Sequence, residues 1–165
     1  MSSPAKLNDH DAIDHVWEMM DKGHICMLAT HDGDAIRARP MAAQIAQDEH
    51  AVYFLTDERR HKDAEIRANP NVCLSFADTD ADDYVSLTGR AEVSNDRAKI
   101  KALWSMAAKA WWDSADDPNI RLLKVTPLEA EYWDGAGSMV TTLKMATAAM
   151  TGKKPDLGAN QKVRM

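Results

Sequence analysis

The feature that most constrains the fold is a series of short apolar runs of strand length, separated by brief polar turns. Residues 24–30, 35–45 and 51–56 form the first three runs, and an Asp-Gly turn signal within 31–34 separates the first two. Runs this short, joined by turns this brief, predict an antiparallel meander. Pro40 has no N–H to donate to a neighbouring strand, so we expect the second strand to lie at a sheet edge or to be bulged there.

Three further stretches continue this pattern. Residues 71–77 predict a fourth strand, and residues 84–94 predict a long fifth strand in which Gly89 marks a bulge or bend. Residues 122–133 supply more strand material on both sides of Pro127. About six antiparallel strands with helical attachments predict a mainly β protein folded as a barrel, which also reduces the number of exposed strand edges.

Helical segments interrupt the strands. Apolar residues spaced three and four apart predict an amphipathic helix over 9–22, with Asp9 as its N-cap and Gly23 as its C-cap. The charged stretch 57–69 is compatible with a helix that Pro70 ends. Asn95 and Asp96 are expected to cap a second long helix. Its predicted apolar stripe is Ile100, Leu103, Trp104 and Ala107.

The C-terminal part is expected to hold a small-residue helix over 139–151 and a poorly packed tail over 153–165. A chain of 165 residues favours one domain over 1–165. Its parts would be an N-terminal helix (9–22), a barrel with inserted helices (24–134), and a C-terminal helix and tail (137–165).

Composition excludes several functional classes. The net charge of −6 disfavours nucleic acid as the main partner. No apolar run approaches the roughly 18 residues that a bilayer span needs, and the N-terminus lacks the apolar core of a signal peptide, so a cytoplasmic protein without a membrane association is expected. Cys26 and Cys73 are expected to be buried, reduced thiols. The scattered histidines predict no metal site.

A cluster of basic residues stands out within this acidic chain. It comprises Arg37, Arg39, Arg59, Arg60, His61 and Lys62. Arginine forks, a lysine charge and the Thr56 hydroxyl are groups that hold a phosphate monoester, which carries about −1.5 to −2 charges at neutral pH. The charge spacing alone leaves two interpretations open, namely a phosphate site or a solvated basic loop that pairs with nearby acids.

Motif order then indicates a family. Residues 39–44 (Arg-Pro-Met-Ala-Ala-Gln), 54–56 (Phe-Leu-Thr), 60–62 (Arg-His-Lys) and 68–72 (Ala-Asn-Pro-Asn-Val) resemble the flavin-phosphate region of the pyridoxamine-phosphate-oxidase-like family. His61 stands where that family usually has arginine. The segments 123–127, 130–134 and 151–156 resemble the general-stress-protein branch. The C-terminal Arg-Leu signature of the pyridoxamine-phosphate oxidases proper is absent from the sequence.

This resemblance implies an FMN-binding split β-barrel that acts as a homodimer, with each flavin site built from both subunits. By resemblance, the phosphate would be held by Arg39, Thr56, Arg60, His61 and Lys62. The strand residues beside the ring would be Met41, Ala42, Gln44 and Leu55. Tyr84 takes the place of a glutamine that reaches the ring, and Trp111 and Trp112 are candidate ring or substrate contacts, although core or interface packing is the favoured interpretation of both tryptophans.

The resemblance implies a flavin-dependent oxidoreductase acting on a small substrate that the sequence does not identify. No residue stands out as a dedicated catalytic acid or base, so the catalytic residues stay unassigned. The alternative is a non-catalytic stress protein or sensor that binds flavin. Related split barrels vary in cofactor, so haem and deazaflavin are further alternatives to FMN.

Overall fold

A computed structural model describes residues 7–135, 138–152 and 158–165 of the chain. The strands are β1 (Ile25–Asp32), β2 (Ala35–Ala42), β3 (Gln44–Ala46), β4 (Ala51–Asp57), β5 (Asn71–Asp78), β6 (Asp83–Ser94), β7 (Ile120–Gly135) and β8 (Gly158–Arg164). The α-helices are α1 (Asp9–Lys22), α2 (Lys62–Ala68), α3 (Arg97–Ala102) and α4 (Ser138–Thr151). Short 3-10 turns cover Gln47–Glu49 and Ala108–Ala110.

One antiparallel sheet contains all eight strands, in the order β2-β1-β5-β6-β7-β4-β3, with β8 also paired to β7. Only Ala43 separates β2 from β3, so one bent segment of chain supplies both the first and the last strand of that order. The segment therefore closes six strands into a barrel and leaves fewer free edges than an open sheet would. This is the predicted mainly β split barrel.

The first hairpin follows its turn chemistry. Asp32 pairs with Ala35, which leaves Gly33 and Asp34 as the two turn residues, and Gly33 has the positive φ of +60° that the turn requires. Pro40 lies in β2 opposite Met27 of β1. Because β2 pairs on one side only, a residue without an N–H is tolerated there, as predicted.

A bulge bends the two longest strands. The register between β6 and β7 shifts between Thr88 and Gly89, where Gly89 faces Pro127, so the predicted irregularity at Gly89 is confirmed. β7 pairs with β4 through Val125 and with β8 from Glu129 onward. Pro127 lies between these two pairings, where its missing N–H leaves no ladder bond unmade, and β7 therefore runs through it without a break.

Inward-facing side chains fill the barrel. Strand alternation places Leu28, Phe54, Leu74, Leu87 and Leu123 in one buried cluster, each fully inaccessible to solvent. The apolar face of α1 adds to this cluster. A second, smaller cluster lies on the other face of β4, and it contains Ala51, Tyr53, Ile100, Ile120 and Leu122.

Two helix predictions need correction. α1 begins as expected, but its N-cap is Asn8 rather than Asp9, because the Asn8 side chain accepts the hydrogen bond of the Asp11 N–H. The second helix is not long. Asp96 caps it as predicted, yet α3 ends at Ala102. The Leu103 carbonyl accepts a hydrogen bond from Gln44 Nε2 at 3.0 Å. A tertiary contact therefore occupies this backbone acceptor at the point where the helix ends.

The prediction of a poorly packed tail is also wrong for its described part. β8 extends the sheet along β7, and Val163 and Gln161 are buried within it. Residues 153–157 lie outside the described residues. The predicted C-terminal helix is confirmed as α4, whose Leu143, Met145 and Met150 are exposed. Of the helices that the structure describes, none is long and apolar enough to cross a membrane.

Candidate functional site

A cleft of about 1060 Å³ opens where the ends of β1 and β2 meet α2 and the loop before it. Small and charged residues form its lining. The lining residues are His31, Asp32, Gly33, Arg37, Ala38, Arg39, Arg59, Arg60, His61, Lys62, Ala64, Glu65 and Ala68. The cleft is thus built by two parts of the sequence that are about twenty residues apart and that the barrel brings together.

Asp57, the last residue of β4, fixes the loop that carries the basic residues. Its carboxylate accepts hydrogen bonds from the backbone N–H of Arg59 at 3.0 Å and from Arg59 Nε at 2.8 Å. These bonds, above all those from the Arg59 side chain, hold the pKa of Asp57 well below its usual range. The backbone N–H of Arg60 donates to the Asp57 carbonyl, which closes the turn before α2.

Three of the five fixed cations in the cleft are matched by carboxylates. Arg37 pairs with Asp32, Arg39 pairs with Glu65 at 2.8 Å, and Arg59 pairs with Asp57. Within the described residues, Arg60 and Lys62 have no carboxylate at ion-pairing distance, although the more distant charges of Asp63 and Asp57 act on Lys62.

Lys62 is the less usual of these two, because its side chain is buried. Burial lowers its pKa, and the positive charge of Arg60 lowers it further. Removing an ammonium group from water without an anion beside it costs free energy. A buried, unmatched lysine next to an arginine is therefore the arrangement expected of a site whose anion comes from a ligand.

Two more buried polar groups lie at the end of β4 and the start of α2. The hydroxyl of Thr56 and both carboxylate oxygens of Asp63 are buried, and none of the three atoms has a hydrogen-bond partner in the described part of the chain. Burial raises the pKa of Asp63. Buried polar atoms are nearly always hydrogen-bonded in folded proteins. The Thr56 hydroxyl in particular offers a free donor and acceptor close in sequence to the two unmatched cations.

The structure brings four of the predicted phosphate-site residues into the lining of this one cleft, namely Arg39, Arg60, His61 and Lys62. Thr56 lies in the neighbouring strand but is buried and does not line the cleft. No group of three or more histidine, cysteine, aspartate or glutamate side chains in the described ranges is arranged to hold a metal ion.

The predicted ring-side residues do not line the cleft. Met41 and Ala42 pair with Cys26 and Ile25 at the far end of the first hairpin. Leu55 packs into the second cluster. The amide of Gln44 donates to the Leu103 carbonyl, so it is engaged elsewhere.

The three predicted aromatic contacts also lie outside this lining. Tyr84 lies at the start of β6, where it pairs with Ala77 and Trp133, and it is not among the cleft-lining residues. Trp112 packs half-buried against the second cluster and donates to Asp57. Trp111 is 70% exposed.

Sequence reasoning missed the acids that organise the cleft. Glu65 lies in α2 three and four residues after Lys62 and His61, so helical spacing places it on their face and would have found it. Asp57 carried no comparable signal, because its role depends on the conformation of the loop that follows β4.

The fold and the cleft together define a class, the split β-barrels with a cleft lined by basic residues. Known proteins place the chain more narrowly. The family described as Pyridoxamine 5'-phosphate oxidase like matches residues 11–156. The chain therefore belongs to the pyridoxamine 5'-phosphate oxidase-like family.

Individual relatives agree with this assignment. General stress protein 26 of Bacillus subtilis (strain 168) is 30% identical over 146 residues, which cover 84% of this chain and 100% of the relative. A structure described as a general stress protein 26 from Jannaschia sp. CCS1 superposes with a TM-score of 0.77 at 28% identity, covering 96% of this chain and all of the other. A general stress FMN/FAD binding protein from Xanthomonas citri gives 0.67 at 25% identity, covering 76% and 89% of the two chains.

Proposed function

We propose that the cleft binds the phosphate of FMN. The observation that carries the proposal is the pair of unmatched cations, Arg60 and Lys62, of which Lys62 is buried. Two fixed positive charges balance one phosphate monoester of about −1.5 to −2 charges. The relative from Xanthomonas citri, described as an FMN/FAD binding protein, supports flavin as the rest of the ligand.

The chain's own residues have separable tasks toward such a ligand. Lys62 supplies a point charge, and Arg60 and Arg39 supply planar forks that can donate two parallel hydrogen bonds to phosphate oxygens. His61 lines the same cleft, and its imidazole ring can exchange a hydrogen bond with a ligand there. When bound, FMN would supply the redox chemistry, and the protein would fix its position and tune its ring.

A second copy of the chain completes the proposed site. The cleft is lined by charged and small residues, so a flavin ring held at its phosphate there would need an apolar wall from elsewhere. An exposed apolar patch on the outer face of the sheet fits a homodimer interface. We define this patch as Ile25, Met27, Tyr84 and Trp133, which are 58%, 41%, 39% and 39% exposed.

The sheet register explains why the patch is continuous. Tyr84 lies directly opposite Trp133, and its other partner is Ala77 of β5. Met27 faces Ser75, which in turn faces Ser86. Small residues between the large ones leave a broad surface that a second sheet can approach closely. Exposed apolar patches of this kind mark interaction sites.

We propose a flavin-dependent oxidoreductase acting on a small substrate as the activity. A non-catalytic flavin-binding stress protein is the second candidate, because both carboxylates that line the cleft are engaged in ion pairs and neither is free to act as a base. Reduction of the bound flavin by NADH or NADPH, followed by reoxidation by an acceptor, separates the two. Turnover supports the enzyme, whereas its absence across a panel of reductants and acceptors supports the binder.

The cofactor is tested by the absorption spectrum of the purified protein and by titration of the stripped protein with FMN. A flavin spectrum and saturable FMN binding are expected. Lys62→Met should weaken FMN binding by about tenfold or more, since a charge-assisted contact is lost, while Lys162→Met, which removes an exposed lysine of β8, should leave it unchanged. A haem Soret band, a deazaflavin spectrum, or equal affinity in both variants contradicts the proposal.

The dimer is tested by light scattering coupled to size exclusion. The wild-type protein is expected at twice the chain mass of 18.3 kDa. Met27→Lys places a charge in the patch and should yield a folded monomer with weakened flavin binding. Ile36→Lys is the matched control, because Ile36 is exposed in β2 outside the patch. A monomeric wild-type protein, or a dimer that tolerates Met27→Lys as well as Ile36→Lys, contradicts this part of the proposal.

A further inference from the structure

Arg39, Thr30 and Glu65 form a closed triangle of hydrogen bonds beneath the cleft. Arg39 Nη2 donates to Glu65 Oε2 at 2.8 Å, and Arg39 Nη1 donates to the Thr30 hydroxyl at 2.8 Å. The Thr30 hydroxyl donates in turn to the same Glu65 oxygen at 2.6 Å. The triangle joins three elements, because Arg39 lies in β2, Thr30 in β1 and Glu65 in α2.

The triangle is shielded from solvent. The Glu65 side chain is 8% exposed and that of Arg39 is 23% exposed, while Thr30 is buried. Burial acts to raise the pKa of Glu65, but the hydrogen bonds from Thr30 and Arg39 outweigh it, so the pKa is lowered overall. Glu65 is therefore an anion, and a shielded ion pair of this kind holds its arginine far more firmly than a surface pair would.

An arginine held this way still has donors to give. A guanidinium group carries five N–H bonds, and the triangle uses two of them. Arg39 lines the cleft together with Arg60 and Lys62, so its remaining donors are available to a ligand there. A flexible arginine loses rotamer entropy when it binds an anion. Because Arg39 is already fixed, binding an anion costs it less of this entropy.

We propose that Glu65, with Thr30, is a positioning residue that fixes the guanidinium of Arg39 for the phosphate of the flavin. This inference rests on the proposed function. It assigns to a carboxylate, which by its charge alone would repel a phosphate, a net favourable effect on phosphate binding. If Glu65 instead competed with the phosphate for Arg39, it would weaken FMN binding. The two cases therefore predict opposite effects of removing Glu65 on the affinity for FMN.

Two substitutions at Glu65 separate orientation from charge. Glu65→Gln keeps a side-chain oxygen that can accept from Arg39 and Thr30 but removes the negative charge, whereas Glu65→Ala removes both. The readout is the dissociation constant for riboflavin divided by that for FMN, since these ligands differ only in the phosphate. A lower ratio means that the phosphate contributes less to binding. A merely structural role would weaken both ligands alike and leave this ratio unchanged.

We expect Glu65→Ala to lower the ratio by about tenfold or more, as loss of a charge-assisted contact implies, and to leave riboflavin binding unchanged. Glu65→Gln should keep the ratio within about threefold of wild type, because a neutral hydrogen bond retains part of the interaction. Glu129→Ala is the control for net charge, since it removes an exposed carboxylate of β7 that pairs with Lys162 of β8.

Thr30→Val provides a test that does not depend on the folding of the alanine variant. Valine has the shape of threonine but lacks the hydroxyl, so it removes two sides of the triangle, and the ratio should fall several-fold. The inference is overturned if both Glu65 variants bind FMN more tightly, which identifies a competitor, or if the ratio is unchanged in Glu65→Ala and Thr30→Val. A wild-type protein that binds riboflavin and FMN equally would instead refute the proposed phosphate site itself.

Discussion

The indole Nε1 of Trp112 donates a hydrogen bond to Oδ2 of Asp57 at a distance of 3.3 Å. The same carboxylate binds Arg59, so Asp57 joins the end of β4 to the basic loop and to the segment that follows α3. Trp112 is far in sequence from the cleft residues, yet these contacts connect it to the loop that carries Arg60.

Replacing this tryptophan should loosen the loop. Trp112→Phe keeps most of the apolar packing but removes the N–H donor, so we expect a loss of about 1 kcal/mol in the free energy of unfolding, measured by urea denaturation, and weaker FMN binding. Trp111→Phe is the matched control, because Trp111 is 70% exposed and should tolerate the change. Equal effects of the two substitutions would show that the hydrogen bond to Asp57 does not matter.

Gly89 allows β6 and β7 to approach closely at the bulge. A Cβ atom at this position would lie 2.7 Å from Val125 Cγ1 and 2.8 Å from the Thr126 carbonyl oxygen. Gly89→Ala should therefore destabilise the protein by about 1–3 kcal/mol through overpacking. Thermal and urea unfolding would measure this effect. Thr88→Ala, at the exposed neighbouring position, should change stability by no more than about 0.5 kcal/mol.

Asp63 should make stability depend on pH. Because burial raises its pKa, the folded state binds more protons than the unfolded state between the two pKa values, and stability falls as pH rises through that window. Asp63→Asn removes this titration, so its unfolding free energy relative to wild type should increase from about pH 3.5 to about pH 7. Urea unfolding at both pH values measures the increase. Asp80→Asn, in the exposed turn before β6, should show no such trend.

The C-terminal strand should contribute to stability on one face only. Val163 is 4% exposed and packs into the main cluster, whereas Lys162 is exposed beside it. Val163→Ala should cost about 1–3 kcal/mol because apolar surface is lost from the core. Lys162→Ala should cost less than about 1 kcal/mol, as expected for a surface ion pair. If both variants unfold at the same urea concentration, β8 does not pack as the structure describes.

Local patterns were sufficient to predict most of the strands. The hairpin at Gly33, the bulge at Gly89 and the edge position of Pro40 each follow from the backbone chemistry of one residue. The family resemblance also assigned Arg39, Arg60 and Lys62 to one phosphate site, which requires the two halves of the basic cluster to meet. In the structure, Arg39, Arg60 and Lys62 line one cleft.

Long-range contacts account for what the sequence did not predict. α3 ends early where Gln44, almost sixty residues away, binds the Leu103 carbonyl, and helical periodicity carries no information about such a contact. β8 pairs with β7 although α4 lies between the two strands in the sequence. The segment that forms β8 is short and polar, and it carries no local strand signal. The pairing of Arg39 with Glu65 was hidden because a charge pattern does not specify which ion pairs form.

The most direct test of the phosphate site is a crystal structure of the protein with FMN bound. We expect the phosphate to lie within hydrogen-bonding distance of Lys62 Nζ and of the Arg39 and Arg60 side chains, with the Arg39–Glu65 ion pair intact. A phosphate bound elsewhere, with Lys62 and Arg60 still lacking an anion, would contradict the account.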